Sequence, residues 1–146
     1  MSTVVDDATL LAILTKRAAA HLLAAAGMGE ILTTRSWYYR LHRAIHDERS
    51  TGSLSRVAAD LSSAAQAELH ELLDELPPEI VVPGPRLLVP VMGALRLQRR
   101  VNYLTAEALA TAMITGANIR ATIEAPLLSA ACAELGIGLE LLPPTE

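Results

Sequence analysis

The feature that most constrains this chain is the order of elements written between Leu104 and Leu142, LTAEALATAMITGANIRATIEAPLLSAACAELGIGLELL. Thr105 is placed to cap a helix whose apolar positions Ala106, Leu109, Ala110 and Met113 recur at three- and four-residue spacing. Gly116 ends that helix, and Asn118 to Thr122 is a short extended run. Pro126 then stands where a first-turn proline is welcome, ahead of a second helix through Leu127, Leu128, Ala131 and Leu135 that ends at Gly136. A last strand, Leu139 to Leu142, stops at Pro143-Pro144. Helix and strand alternating at this spacing predict an α/β domain, a parallel sheet covered by helices.

A chain of 146 residues makes one domain, residues 1–146. With 51% apolar and 19% charged residues it is far from a disordered composition. Phenylalanine is absent, so the core is built from Leu, Ala, Val and Ile. A net charge of −4 argues against a dedicated duplex-binding protein but leaves room for a metal-dependent nuclease, whose site is acidic by need. The single cysteine, Cys132, sits among alanines on a helix and reads as a buried, inert thiol. It cannot pair within the chain, which suits a reducing cytoplasm, and no signal peptide or membrane span is expected.

From the N-terminus, Thr3-Val4-Val5 reads as a strand ending in Asp6-Asp7, followed by helical spacing through Leu10, Leu11 and Leu14 and on to Leu23, as one helix or as two broken near Thr15–Arg17. Strand, acid, helix puts a carboxylate at the carboxyl end of a strand, the edge where open α/β sheets bind ligands. Ile31 to Thr34 reads as a second strand, with Ser36 capping a helix that presents Trp37, Leu41, Ala44 and Ile45 on one face. Glu48 to Ser55 is a loop by its turn residues. Leu54 to Leu76 gives the cleanest amphipathic helix, with a solvated outer face of Asp60, Gln66, Glu71, Asp74 and Glu75. Ile80 to Val82 is a third strand or an extended connector. Arg86 to Arg99 is helical with Pro90 in its first turn or at a kink, and the helix dipole accounts for the arginines at its end.

Glycine-rich phosphate loops, nucleophile elbows and Cys-x-x-Cys pairs are absent. His42 and His46 have ligand-like spacing, but with no third ligand near in sequence they read as surface residues. Trp37, Tyr38 and Tyr39 read as packing residues before base-stacking ones. What remains is a set of acids at element junctions: Asp6, Asp7, Glu107 and Glu124. Gathered at one sheet edge, such carboxylates supply the oxygen ligands that Mg²⁺ or Mn²⁺ takes for phosphodiester hydrolysis. Each also has a structural use: Asp7 as N-cap of the first helix, Glu107 as a favourable charge in the first turn of its own, Glu124 as a solvated residue.

Three stretches resemble the PIN-domain family, the fold of bacterial toxin-type ribonucleases. VVDDATLLAIL is similar to the family's opening, with Asp6 at its aspartate. TAEALATAM resembles the internal acid-Ala-Leu motif, with Glu107 where aspartate is usual, or Thr105 there in an alternative register. TIEAPLLSAACAELGI is similar to the closing pattern, with Glu124 at the acid. The resemblance implies a three-layer α/β/α fold with a central, mostly parallel sheet. It also implies Mg²⁺- or Mn²⁺-dependent cleavage of RNA at Asp6, Glu107 and Glu124, with Asp7 as a further metal ligand. Many relatives are dimers, and the toxins pair with a small antitoxin protein. The chain departs from the pattern where the family usually places a glutamate on the helix after the second strand: Arg40 stands near that place, where it repels a metal or contacts a substrate phosphate. A ribonuclease of reduced activity is therefore one expectation, and a non-catalytic binding or assembly module on the same fold is the other. An unrelated α/β domain binding a small ligand at the same edge is a third.

Overall fold

A computed structural model describes residues 1–47, 49, 51–122 and 125–141. Along the described chain run β1 (Thr3–Val5), α1 (Asp7–Leu14), α2 (Ala20–Gly27), β2 (Ile31–Leu32), α3 (Arg35–His46), α4 (Ser53–Ala59), α5 (Ser63–Asp74), α6 (Pro85–Gln98), α7 (Tyr103–Thr115), β3 (Asn118–Ala121), α8 (Pro126–Leu135) and β4 (Leu139–Leu141). The strands form one sheet in the order β2-β1-β3-β4, and every pairing is parallel.

The sheet is short in its strands but covered on both faces, and the alternation of side chains sorts the core into two layers. Val4, Leu32 and Ile119 point into one cluster with α6, α7 and α8. Val5 and Ile31 point into the other, with Leu10 and Leu14 of α1, Leu22 of α2 and Leu69 and Leu73 of α5. This is the three-layer α/β/α arrangement. In helix α7, Ala106, Ala108, Ala110 and Ala112 are all buried around Leu109, and small side chains let α6 and α8 approach it closely.

Several boundaries differ from the sequence expectation. Of the two readings of the first helical run, the pair of helices broken near Thr15–Arg17 is the one found. Thr15 turns its hydroxyl back onto the Leu11 carbonyl and Lys16 takes a left-handed φ of 60°. The long amphipathic run is also two helices, α4 and α5, because Ser62 caps a new start by accepting from the Ala65 N–H at 3.1 Å. Asn102, not Thr105, caps α7, and Thr34, not Ser36, caps α3. The second strand is shorter than the 31–34 run, since Thr33 and Thr34 lead into that cap. Of the two readings of Ile80–Val82, the extended connector is the one found, with a single bridge from Val81 to Leu32. Pro90 lies inside α6, beyond its first turn. The ends of the expected 48–55 loop and 139–142 strand reach residues outside those described.

A candidate acidic site at the sheet edge

From β1 the chain crosses to β2 on one side, and from β3 it crosses to β4 on the other, so the switch point of the sheet lies between β1 and β3. The residues leaving those two strands are Asp6 and Thr122. Asp6 is 4% exposed and saturated with donors. Its Oδ1 accepts the Thr9 N–H at 2.9 Å, which makes it the N-cap of α1, and its Oδ2 accepts both the N–H and the hydroxyl of Thr122 at 2.8 Å each. The capping role assigned to Asp7 from the sequence thus belongs to Asp6. The reason is backbone conformation: Asp6 has the extended φ/ψ of a cap (−78°, 179°), and Asp7 is already the first helical residue.

Asp7 is left with a different environment. It is 6% exposed, its Oδ1 accepts the Ala8 N–H, and its Oδ2 is buried without a hydrogen-bond donor. The nearest countercharge is Arg40 of α3, with Nε at 3.5 Å. Burial pushes the Asp7 carboxyl above its ordinary range; Arg40 pulls it back, and the neighbouring Asp6 carboxylate adds to the rise.

Glu107 is fully buried, at 0% exposure, and lies in the second turn of α7 and not the first. Its hydrogen-bond partner comes from another helix. Oε1 accepts the Ser36 N–H at the N-terminus of α3 at 2.9 Å, where the helix dipole favours a negative charge. Oε2 has no hydrogen-bond donor, and Arg35 Nη2 stands 3.9 Å away. Helix α3 thus serves both acids: its first turn holds Glu107 and its second turn brings Arg40 to Asp7. Thr105 contributes its N–H to the Asn102 cap. Glu124 lies outside the described residues.

Asp6, Asp7 and Glu107 thus stand in three contact sets: Asp6 with Thr122, Asp7 with Arg40, and Glu107 with Arg35 and Ser36. Asp7 Oδ2 and Glu107 Oε2 are buried acceptors with lone pairs to give, which suits a hard cation. The donor set fits Mg²⁺ or Mn²⁺ in kind. Two arginines offset its charge, and Asp6, Asp7 and Glu107 do not supply three ligand atoms within 4.8 Å of one another. Among the described residues that condition is met elsewhere, by His42, His46 and Asp74. Sequence reasoning gave the histidines to the surface and Asp74 to a solvated face. The i, i+4 spacing of His42 and His46 was the available signal, and their partner comes from α5, 28 residues past His46 in the numbering.

No family model matches this chain, and no curated protein matches it.

Proposed function

We propose that this is a PIN-like domain whose carboxyl-edge acids hold a divalent cation for phosphodiester hydrolysis in RNA, at an activity reduced by its own arginines. One observation carries the reading: among the described residues, Asp7 Oδ2 and Glu107 Oε2 are buried without hydrogen-bond donors, with half-exposed arginines at 3.5 and 3.9 Å. Asp7 and Glu107 would hold Mg²⁺ or Mn²⁺, with Asp6 beside them and Glu124 as the remaining acid of the resemblance. Such an ion supplies Lewis acidity and an activated water. Asp6, tied to both α1 and Thr122, positions the edge and keeps β1 and β3 in register. Arg40, freed from Asp7 by an incoming cation, becomes a cationic partner for a substrate phosphate.

The pairing of Arg40 with Asp7 and Arg35 with Glu107 favours a second reading: the same edge, neutralised, as a non-catalytic binding or assembly module, whether with a second copy of the chain or with an antitoxin-like protein. Incubating purified protein with single-stranded RNA in Mn²⁺ separates the two. Chelator-sensitive cleavage that is lost in Glu107→Gln supports hydrolysis. Intact RNA under the same conditions leaves the binding module.

A further inference from the structure

Away from the acidic edge, α3 and α5 lie side by side, and each presents a pair of polar residues one turn apart: His42 and His46 on α3, His70 and Asp74 on α5. Residues four apart share a helical face, so the two pairs meet across the helix–helix contact. Both imidazole Nε2 atoms converge on one carboxylate oxygen, with Asp74 Oδ1 lying 2.9 Å from His42 Nε2 and 3.0 Å from His46 Nε2. The two rings are stacked, 3.9 Å between centroids and 1° between planes, and His70 closes one side, 4.4 Å from the His46 ring.

Hydrogen bonding accounts for one of these contacts, His42 Nε2 to Asp74 Oδ1, and not for the other. His46 Nδ1 lies 3.1 Å from the His42 carbonyl oxygen, which can only accept, so Nδ1 carries the proton. With Nδ1 turned to that carbonyl, Nε2 is the ring nitrogen left facing the carboxylate. It is buried and, despite its 3.0 Å approach, has no hydrogen bond of acceptable geometry. An Nδ1–H fixed by a backbone carbonyl, leaving Nε2 free, is the tautomer by which metal-bound histidines are oriented. A tetrahedral ion with bonds of about 2.0–2.1 Å separates its donor atoms by about 3.3 Å, so each Nε2–Oδ1 pair needs to spread by only a few tenths of an ångström, and the stacked imidazoles turn about χ2 to bring both lone pairs onto one ion.

We propose that His42, His46 and Asp74 form a binding site for a first-row transition ion of the zinc class, one that staples α3 to α5 and leaves a fourth position to water. Two imidazoles and one carboxylate select such an ion over Mg²⁺, which prefers an all-oxygen shell. The staple reinforces a contact already present, since the Tyr38 hydroxyl, one turn before His42, donates to the Leu73 carbonyl beside Asp74. It also fixes the helix that carries Arg35, Ser36 and Arg40 to the acids. The site stands on its own residues and does not depend on the hydrolytic reading.

The test is a Co²⁺ titration of untagged, metal-stripped protein, read by ligand-field absorption in the visible, with Zn²⁺ as competitor. Tight Co²⁺ binding displaced by Zn²⁺ is expected, with a raised Tm in Zn²⁺. His42→Gln and Asp74→Asn change partly exposed side chains and should each weaken binding by at least about tenfold and abolish the Zn²⁺-dependent rise in Tm. Absence of Co²⁺ and Zn²⁺ binding would overturn the site, as would binding that survives His42→Gln and Asp74→Asn.

Discussion

Asp6 and Thr122 are joined across the switch point of the sheet: a single carboxylate oxygen, Asp6 Oδ2, accepts both the backbone N–H and the hydroxyl of Thr122 at 2.8 Å. The other oxygen caps α1, so one side chain binds the ends of β1 and β3 to the start of a helix. Thr122→Val removes only the hydroxyl donor and should cost about 1 kcal/mol. Asp6→Ala removes the cap and strands two backbone N–H donors, and should cost roughly 2–4 kcal/mol. Urea denaturation of both variants checks the order; equal losses would mean that the carboxylate does not organise this edge.

Asp7 is the buried acid whose ionisation the fold opposes. Its folded pKa is raised above the ordinary value of 3.8, so its contribution to stability is fully present below that pH and is lost as pH rises through the folded value. In metal-free protein, Asp7→Asn should therefore be more stable than the parent at neutral pH, by on the order of 1 kcal/mol, with the difference closing as the pH falls toward 3.8. Denaturation curves across that range in a chelator provide the measurement. A variant less stable at neutral pH would show that the Arg40 pair outweighs burial.

Arg40 competes with any cation for Asp7. Arg40→Gln removes the positive charge 3.5 Å from Oδ2 and should tighten Mn²⁺ binding at the acidic edge by about five- to tenfold. Isothermal calorimetry of the variant against the parent tests this, and unchanged affinity would separate Arg40 from the metal-binding function.

Lys16 ends α1 in a left-handed conformation, φ 60°, that a lysine adopts at a cost. Lys16→Gly should stabilise the chain by about 0.5–1 kcal/mol, while Gly116→Ala, at φ 70° after α7, should destabilise it by about 1 kcal/mol. Thermal melts of the two variants should move in opposite directions.

Cys132 is 1% exposed, and burial pushes its thiol up from an ordinary value of 9.0. The native protein should resist alkylation by iodoacetamide at neutral pH and become reactive only when unfolded. Fast labelling without denaturant would place the thiol outside the core.

The alternation of helix and strand was written plainly where glycine and proline punctuate it: Gly116, Pro126 and Gly136 mark their elements where expected. Boundaries set by polar side chains were harder to read, because Asn102, Thr34 and Ser62 compete with equally good caps nearby, and packing decides which backbone N–H is left exposed. Among the acids, Asp6 was legible as a strand-end residue, but the exchange of roles between Asp6 and Asp7 depends on one φ/ψ pair. The true partners of Glu107, Ser36 and Arg35, lie about 70 residues away and leave no local trace. The meeting of His42 and His46 with Asp74 was hidden for the same reason: helical spacing shows which residues share a face, and not which face they meet.

The most direct measurement is a calorimetric titration of metal-stripped protein with Mn²⁺ in a His42→Gln background, which removes the histidine site from competition. Binding that disappears on adding Asp7→Asn and Glu107→Gln is the expected result. No binding, or binding that persists in the triple variant, would contradict a cation site at the carboxyl edge of this sheet.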